Sequence, residues 1–134
     1  MNVERLEHLA TLLDEGTYGE ELHVGFDMSN FEQSAWRSLS PFKGDFEETC
    51  CIAGMAARCY ASDEIIGSFV ITAQQVLDLN DFSIAYDLFF PDPIEGSWCN
   101  IDPKDAAIVI RHLIQTGKAD WSIVADKYAK SDSH

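Results

Sequence analysis

The chain has 134 residues, 46% of them hydrophobic, enough for one domain with a core and too apolar for a disordered acidic tail. Its 23 acidic and nine basic side chains leave a net charge of −14. That balance excludes non-specific binding to nucleic acid, which needs clustered Lys and Arg, and docking on anionic membrane. No stretch reaches the roughly 18 continuous apolar residues of a membrane span. Residues 1–13 mix Glu, Arg and His with apolar residues, so they do not read as a signal peptide. A cytoplasmic setting is expected, and with it four cysteines held as thiols.

Val3, Leu6, Leu9 and Leu13 recur at helical spacing, with Gly16 as the stop. Leu22, Val24, Phe26 and Met28 then alternate with His23, Gly25 and Asp27, which predicts a short half-buried strand near 22–28. Residues 29–48 read as a loop with one helical turn around Trp36. Thr49 is placed to cap a second helix running to about Ala61. Thr72 and Gln75 form a capping-box pattern that opens a third helix over 72–79. Ser83 is placed to cap a fourth, with Ile84, Ala85, Leu88 and Phe89 inward and Pro91 as its end. Asp102 and Pro103 read as N-cap and first residue of a helix over 103–116 that is apolar nearly all round. Gly117 closes it. Asp120 then caps a last helix presenting Trp121, Val124 and Tyr128, and the chain from 129 reads as a frayed tail.

The expected fold is therefore mainly α. Five or six short helices surround helix 103–116 in a single domain, with one small β element near 22–28 whose partner strand is expected near 96–100.

Charge is uneven along this layout. Residues 44–103 carry a net −10 with Arg58 as their one base, residues 1–43 carry −5, and residues 104–134 carry +1. Such an excess favours partners of opposite charge.

Motifs for chemistry are sparse. Cys51 and Cys59 are eight apart on one predicted helix, about 12 Å at the helical rise, too far to share one zinc. Neither Cys-x-x-Cys nor His-x-x-x-His occurs, and His8, His23, His112 and His134 are scattered. A zinc site would need Cys99 and His112 brought together by the fold. Cys50 and Cys51 stand at a predicted helix start, a place that favours a thiolate, but Asp45, Glu47 and Glu48 nearby oppose it. The Asp78–Asp81 stretch fails the calcium-loop template. Phe82 stands at a ligand position, Ser83 where Gly is needed and Phe89 where the bidentate Glu belongs. No phosphate-cradling glycine loop is present. Helix 103–116 with the segment after Gly117 has the outline of a helix-turn-helix, but Trp121, Val124 and Tyr128 read as core, leaving Lys127 and Lys130 for phosphates. Trp36, Phe42, Phe46, Phe89, Phe90 and Trp98 lie in or beside loops, either filling gaps or forming a recognition surface.

Several segments together carry a resemblance. They are Met1-Asn-Val-Glu-Arg-Leu6, Phe26-Asp-Met-Ser29, Cys51-Ile-Ala-Gly54, Asp87-Leu-Phe-Phe-Pro91, Ile101-Asp-Pro103, Arg111-His-Leu113, Thr116-Gly117 and Asp120-Trp121. In this order they resemble a group of small uncharacterised proteins of bacteriophages, prophages and proteobacterial genomes. The similarity runs from Met1 to about Trp121. Members carry a second Cys five residues before the Cys-Ile-Ala-Gly block, where this chain has Phe46. That departure argues against a shared metal or disulfide. The resemblance implies a phage or mobile-element setting and no particular activity.

The expected function is a non-enzymatic, protein-binding accessory factor, with no catalytic residue, cofactor or metal. The partner expected is a host protein with a basic surface, such as a CRISPR effector or restriction nuclease. Asp45, Glu47, Glu48, Asp63, Glu64, Asp78, Asp81 and Asp87 would act as phosphate surrogates toward it. The alternatives are a small enzyme or ligand-binding domain using the Cys50–Cys51 helix start, and a structural or assembly protein of the particle.

Overall fold

The computed structural model describes residues 1–29, 40–42, 44, 49–61, 69–95 and 97–128. Helix α1 (Val3–Glu15) starts where the Asn2 side chain accepts the Arg5 amide at 3.1 Å. Leu6, Leu9, Ala10 and Leu13 form its buried face. It ends at Gly16, whose φ of 72° would strain any residue carrying a Cβ. A second helix, α2 (Tyr18–Leu22), follows at once; the periodicity did not predict it because five residues are too few to show a period.

The long C-terminal-half helix lies where it is expected. Asp102 accepts the Lys104 amide at 2.8 Å, Pro103 is the first helical residue, and Gly117 closes the helix, which we label α6 below (Pro103–Thr116). Its buried face is Ala106, Ala107, Val109, Ile110 and Leu113. Ile108 is exposed, and Arg111 and His112 are half-exposed, so the helix is amphipathic rather than apolar all round. It packs chiefly on α1. Arg111 ties the rim of that interface, at 3.1 Å from Glu7 and 3.2 Å from Asp14, and Lys104 stands 3.8 Å from Asp14.

The β element is smaller and deeper than the alternation predicts. Strand β1 is Gly25–Phe26, and residues 24–28 are all buried. Its partner is β2, Thr49–Cys50, paired in parallel with Gly25 opposite Thr49 and Phe26 opposite Cys50. The expected partner near 96–100 instead forms a 3-10 turn, Trp98–Asn100, in which Trp98 Nε1 donates to the Ile94 carbonyl. Thr49 is thus a strand residue and not a helix cap. The N-cap of α3 (Ile52–Tyr60) is Cys51. At Gly54 the helix passes so close to β2 that a Cβ would sit 2.7 Å from the Cys50 Cβ. The glycine of the Cys-Ile-Ala-Gly block therefore has a packing reason.

Helix α4 (Phe69–Val76) begins earlier than the capping-box pattern predicts and packs on α3. Helix α5 (Phe82–Phe89) is capped by Asp81 rather than Ser83, the Asp81 side chain accepting both the Ser83 amide (2.9 Å) and its hydroxyl (2.7 Å). Asp and Ser cap about equally well, so the two-residue offset is set by where the backbone enters the helix, at the extended Asp81. After α6 the chain forms two 3-10 turns, Trp121–Ile123 and Ala125–Tyr128, and not an α-helix. The predicted turn at Trp36 and the frayed tail lie outside the described residues. The architecture is mainly helical, with six α-helices and one two-stranded parallel sheet among the described residues.

Candidate functional site

Charge is the chain's most distinctive property, at a net −14. Asp45, Glu47, Glu48, Asp63 and Glu64 lie outside the described residues. Asp78, Asp81 and Asp87 are described, and all three are exposed, but they differ in what else they do. Asp78, at a left-handed φ of 55°, stands 3.5 Å from the Met1 ammonium. Asp81 is committed to its cap, and the Ser83 hydroxyl and amide hold its carboxyl below the usual range. Asp87 carries no such duty. It stands at the mouth of a half-open pocket of about 190 Å³, with Phe90, Asp92, Pro93, Asp120 and Trp121 around it.

Three aspartates from separate places in the chain therefore line one hollow. Asp87 is on α5, Asp92 is in the turn after Pro91, and Asp120 caps the first C-terminal turn. Asp120 is held in the charged form by the Ser122 hydroxyl and amide, with His112 and Lys118 near enough to assist. Asp92 accepts a hydrogen bond from the Tyr86 hydroxyl, which raises the Tyr86 pKa. Beneath them Trp121 is buried, its indole donating to the Leu88 carbonyl at 3.0 Å. Such a hollow suits the cationic end of a long side chain.

Asp92 lies in the acidic 44–95 stretch without being one of the eight named acids, and Asp120 is read in the sequence only as a helix cap. They join Asp87 only through the fold, and no spacing rule links positions 87, 92 and 120. A readable signal did exist beside them. With Ile84, Ala85, Leu88 and Phe89 turned inward, Phe82, Tyr86 and Phe90 are left at i, i+4 and i+8 on the remaining face. Of the other loop aromatics, Phe89 is core, while Phe42 and Trp98 pack half-buried against it. Trp36 and Phe46 are outside the described residues.

The thiol alternative meets an unfavourable geometry. Cys50 and Cys51 are both buried. The first amides of α3 lower the Cys51 pKa, but burial outweighs them and pushes the thiol up to about 11. Burial pushes Cys50 up as well, with the neighbouring Cys51 adding to it. A thiol pushed up in this way stays protonated at neutral pH. Iodoacetamide at pH 7.5 is therefore expected to label Cys99 first and to leave Cys50 and Cys51 intact until the protein unfolds, read by peptide mass mapping over time. Fast labelling of Cys51 in the native protein would restore the thiol reading.

A second polar group joins α1, α2 and α3. His8 Nε2 lies 3.4 Å from Glu21 Oε2, and its Nδ1 is hydrogen-bonded to the Tyr60 hydroxyl. Arg5 stacks over the Tyr60 ring at 4.8 Å and donates to the Val76 carbonyl at 2.7 Å. Burial pushes Tyr60 up to about 12, away from the range useful for proton transfer near neutrality. This group works as a brace between helices. Among the described residues no three His, Cys, Asp or Glu side chains converge as a metal site, and Cys99 and His112 do not form one. The C-terminal turns do not make a reading helix for DNA, because Trp121 and Val124 are core and Lys127 is engaged by Asp105.

Among the described residues no helix is long and apolar enough to cross a membrane. No family model, curated protein or solved structure matches the chain.

Proposed function

We propose that this chain is a non-enzymatic, acidic, protein-binding accessory factor of a phage or mobile element. It occupies the basic nucleic-acid cleft of a host machine, such as a CRISPR effector or restriction nuclease, with carboxylates standing in for phosphates. The observation that carries this reading is the segregation of charge. Residues 69–95 hold Asp78, Asp81, Asp87, Asp92 and Glu95, all exposed, and no Lys or Arg. Cations are engaged elsewhere, with Lys104 and Arg111 on the acids of α1 and Lys127 on Asp105. Asp78 also meets the Met1 ammonium and Asp81 caps α5, but among the described residues no Lys or Arg pairs with Asp87, Asp92 or Glu95, which supports their acting on a partner. The phage setting comes from the sequence resemblance.

The test is affinity capture from host lysate by tagged protein at low and at high salt, with the bound proteins identified by mass. A matched variant carries Asp78→Asn, Asp81→Asn and Asp87→Asn; Asn at 81 preserves the helix cap. The expected result is salt-sensitive capture of a nucleic-acid-handling protein, weakened on the order of tenfold in the variant. Equal capture by both forms, or capture of the chain's own copies alone, would overturn the reading.

A further inference from the structure

Phe82, Tyr86 and Phe90 form a ladder along α5. Ring centroids are 6.4 Å apart between Phe82 and Tyr86 and 4.8 Å between Tyr86 and Phe90. Phe82 is 55% exposed and Tyr86 40%. Two large aromatics left in water on one helix mark a contact surface more often than isolated apolar residues do. The ladder runs directly into the aspartate-lined pocket, because Phe90 is both its last rung and a wall of that pocket. Among the described residues no Lys or Arg bridges Asp87 or Asp92.

Charge decides what fits such a surface. Bases of a nucleic acid could stack on the rings, but the adjoining carboxylates repel their phosphates. A second copy would bring another −14. A cation is favoured by both halves of the groove, by ring faces through their quadrupoles and by carboxylates through charge. Arginine is favoured over lysine. Its planar guanidinium stacks on an aromatic face and still presents paired N–H donors to a carboxylate, whereas an ammonium is a point charge more strongly held by water. We propose that the Phe82–Tyr86–Phe90 ladder and the pocket at Asp87 and Asp92 form one docking groove for an arginine-bearing segment of a partner protein. This deepens the proposed function and rests on it, because it names how the acidic face recognises its partner.

The test uses the full chain labelled with nitrogen-15 and the probe acetyl-Arg-Gly-Arg-Gly-Arg-amide. Its lysine and citrulline counterparts serve as controls, the latter keeping the shape without the charge. Amide shifts are expected at residues 82–95 and 119–121. The arginine peptide is expected to bind several-fold tighter than the lysine peptide, and the citrulline peptide not to bind. Phe82→Ser with Tyr86→Ser removes the two exposed rungs, and with Tyr86 its bond to Asp92, so the thermal midpoint should fall by no more than a few degrees while the Kd rises about tenfold. Asp87→Asn should weaken binding without touching the ladder, since the Tyr86 hydroxyl is bonded to Asp92 and not to Asp87. Equal binding of arginine and lysine peptides, unchanged binding by the aromatic variant, shifts elsewhere, or no saturable shift would each overturn the groove. The two readings fail separately. Peptide binding as expected, with lysate capture lost, overturns the function and supports the groove. Lysate capture of an arginine-bearing protein that survives Phe82→Ser with Tyr86→Ser overturns the groove and leaves the function standing.

Discussion

Trp121→Ala is expected to destabilise the protein by about 3–5 kcal/mol, the range for deleting a fully buried large aromatic. Trp121 is 1% exposed, among the largest buried side chains in the chain. Its loss would leave a cavity beneath Asp87 and Phe90, and would strip the Leu88 carbonyl of the indole donor at 3.0 Å. The site has little room to collapse, since the chain around Trp121 is fixed by the Asp120 cap on one side and α5 on the other. For a chain of this size that cost corresponds to a fall in thermal midpoint of roughly 10–20 °C. Trp121→Phe keeps a ring in place and should lose less. Circular dichroism melts of the three proteins check this. A fall of only a few degrees for Trp121→Ala would mean that the C-terminal turns add little to the core.

Tyr128→Phe is expected to cost about 2 kcal/mol, the value of a hydrogen bond to a charged group that leaves a buried acceptor short of a donor. Asp105 is 3% exposed in the first turn of α6, and a carboxylate so deeply buried needs partners. Its two oxygens are met by the Tyr128 hydroxyl at 2.6 Å and the Lys127 ammonium at 2.8 Å. The same hydroxyl accepts the Asp102 amide at 2.8 Å, so one phenol ties the start of α6 to the last turn. The Lys127 side chain is 64% exposed, so water screens its share, and Lys127→Met should matter less. The phenol also sets a pH signature. Burial, and then the bond to Asp105, raise the Tyr128 pKa above its ordinary value of 10.0. A group raised in the folded state stabilises the protein fully below its unfolded pKa and loses that contribution as pH rises through the folded one. Wild-type stability should therefore fall above about pH 10, and Tyr128→Phe should lack that part of the decline. Urea melts at pH 7, 9 and 10.5 measure both effects. A Phe variant as stable as wild type at pH 7 would contradict the clamp.

How much of this was legible in the sequence follows from how local each signal is. Helices α1 and α6 are readable because an apolar stripe and a terminal glycine agree in each, with the Asp102–Pro103 start added in α6. Asp81 displaced Ser83 as a cap because either residue can serve, and only the backbone decides between them. The alternation predicts a strand near 22–28 and the strand at 25–26 lies within it, but its partner is Thr49–Cys50 and not the expected segment near 96–100. A parallel pair joined across more than twenty residues leaves no local trace, whereas a hairpin partner would. The last helix dissolved into two 3-10 turns because Trp121 and Tyr128 are each held by distant partners, the Leu88 carbonyl and Asp105, which fix the turns separately. The pocket has the same character. Asp87 stood out as an acid, but its union with Asp92 and Asp120 depends on how α5 and the C-terminal turns pack.

The most direct measurement is competition at equilibrium between this protein and duplex nucleic acid for the captured host partner, repeated over a range of salt. Carboxylates acting as phosphate surrogates should give mutual exclusion: each ligand displaces the other, affinity falls steeply with salt, and the Asp78→Asn, Asp81→Asn, Asp87→Asn variant displaces poorly. A stable ternary complex, with nucleic acid bound as tightly in the presence of the protein as in its absence, would contradict the mimicry outright.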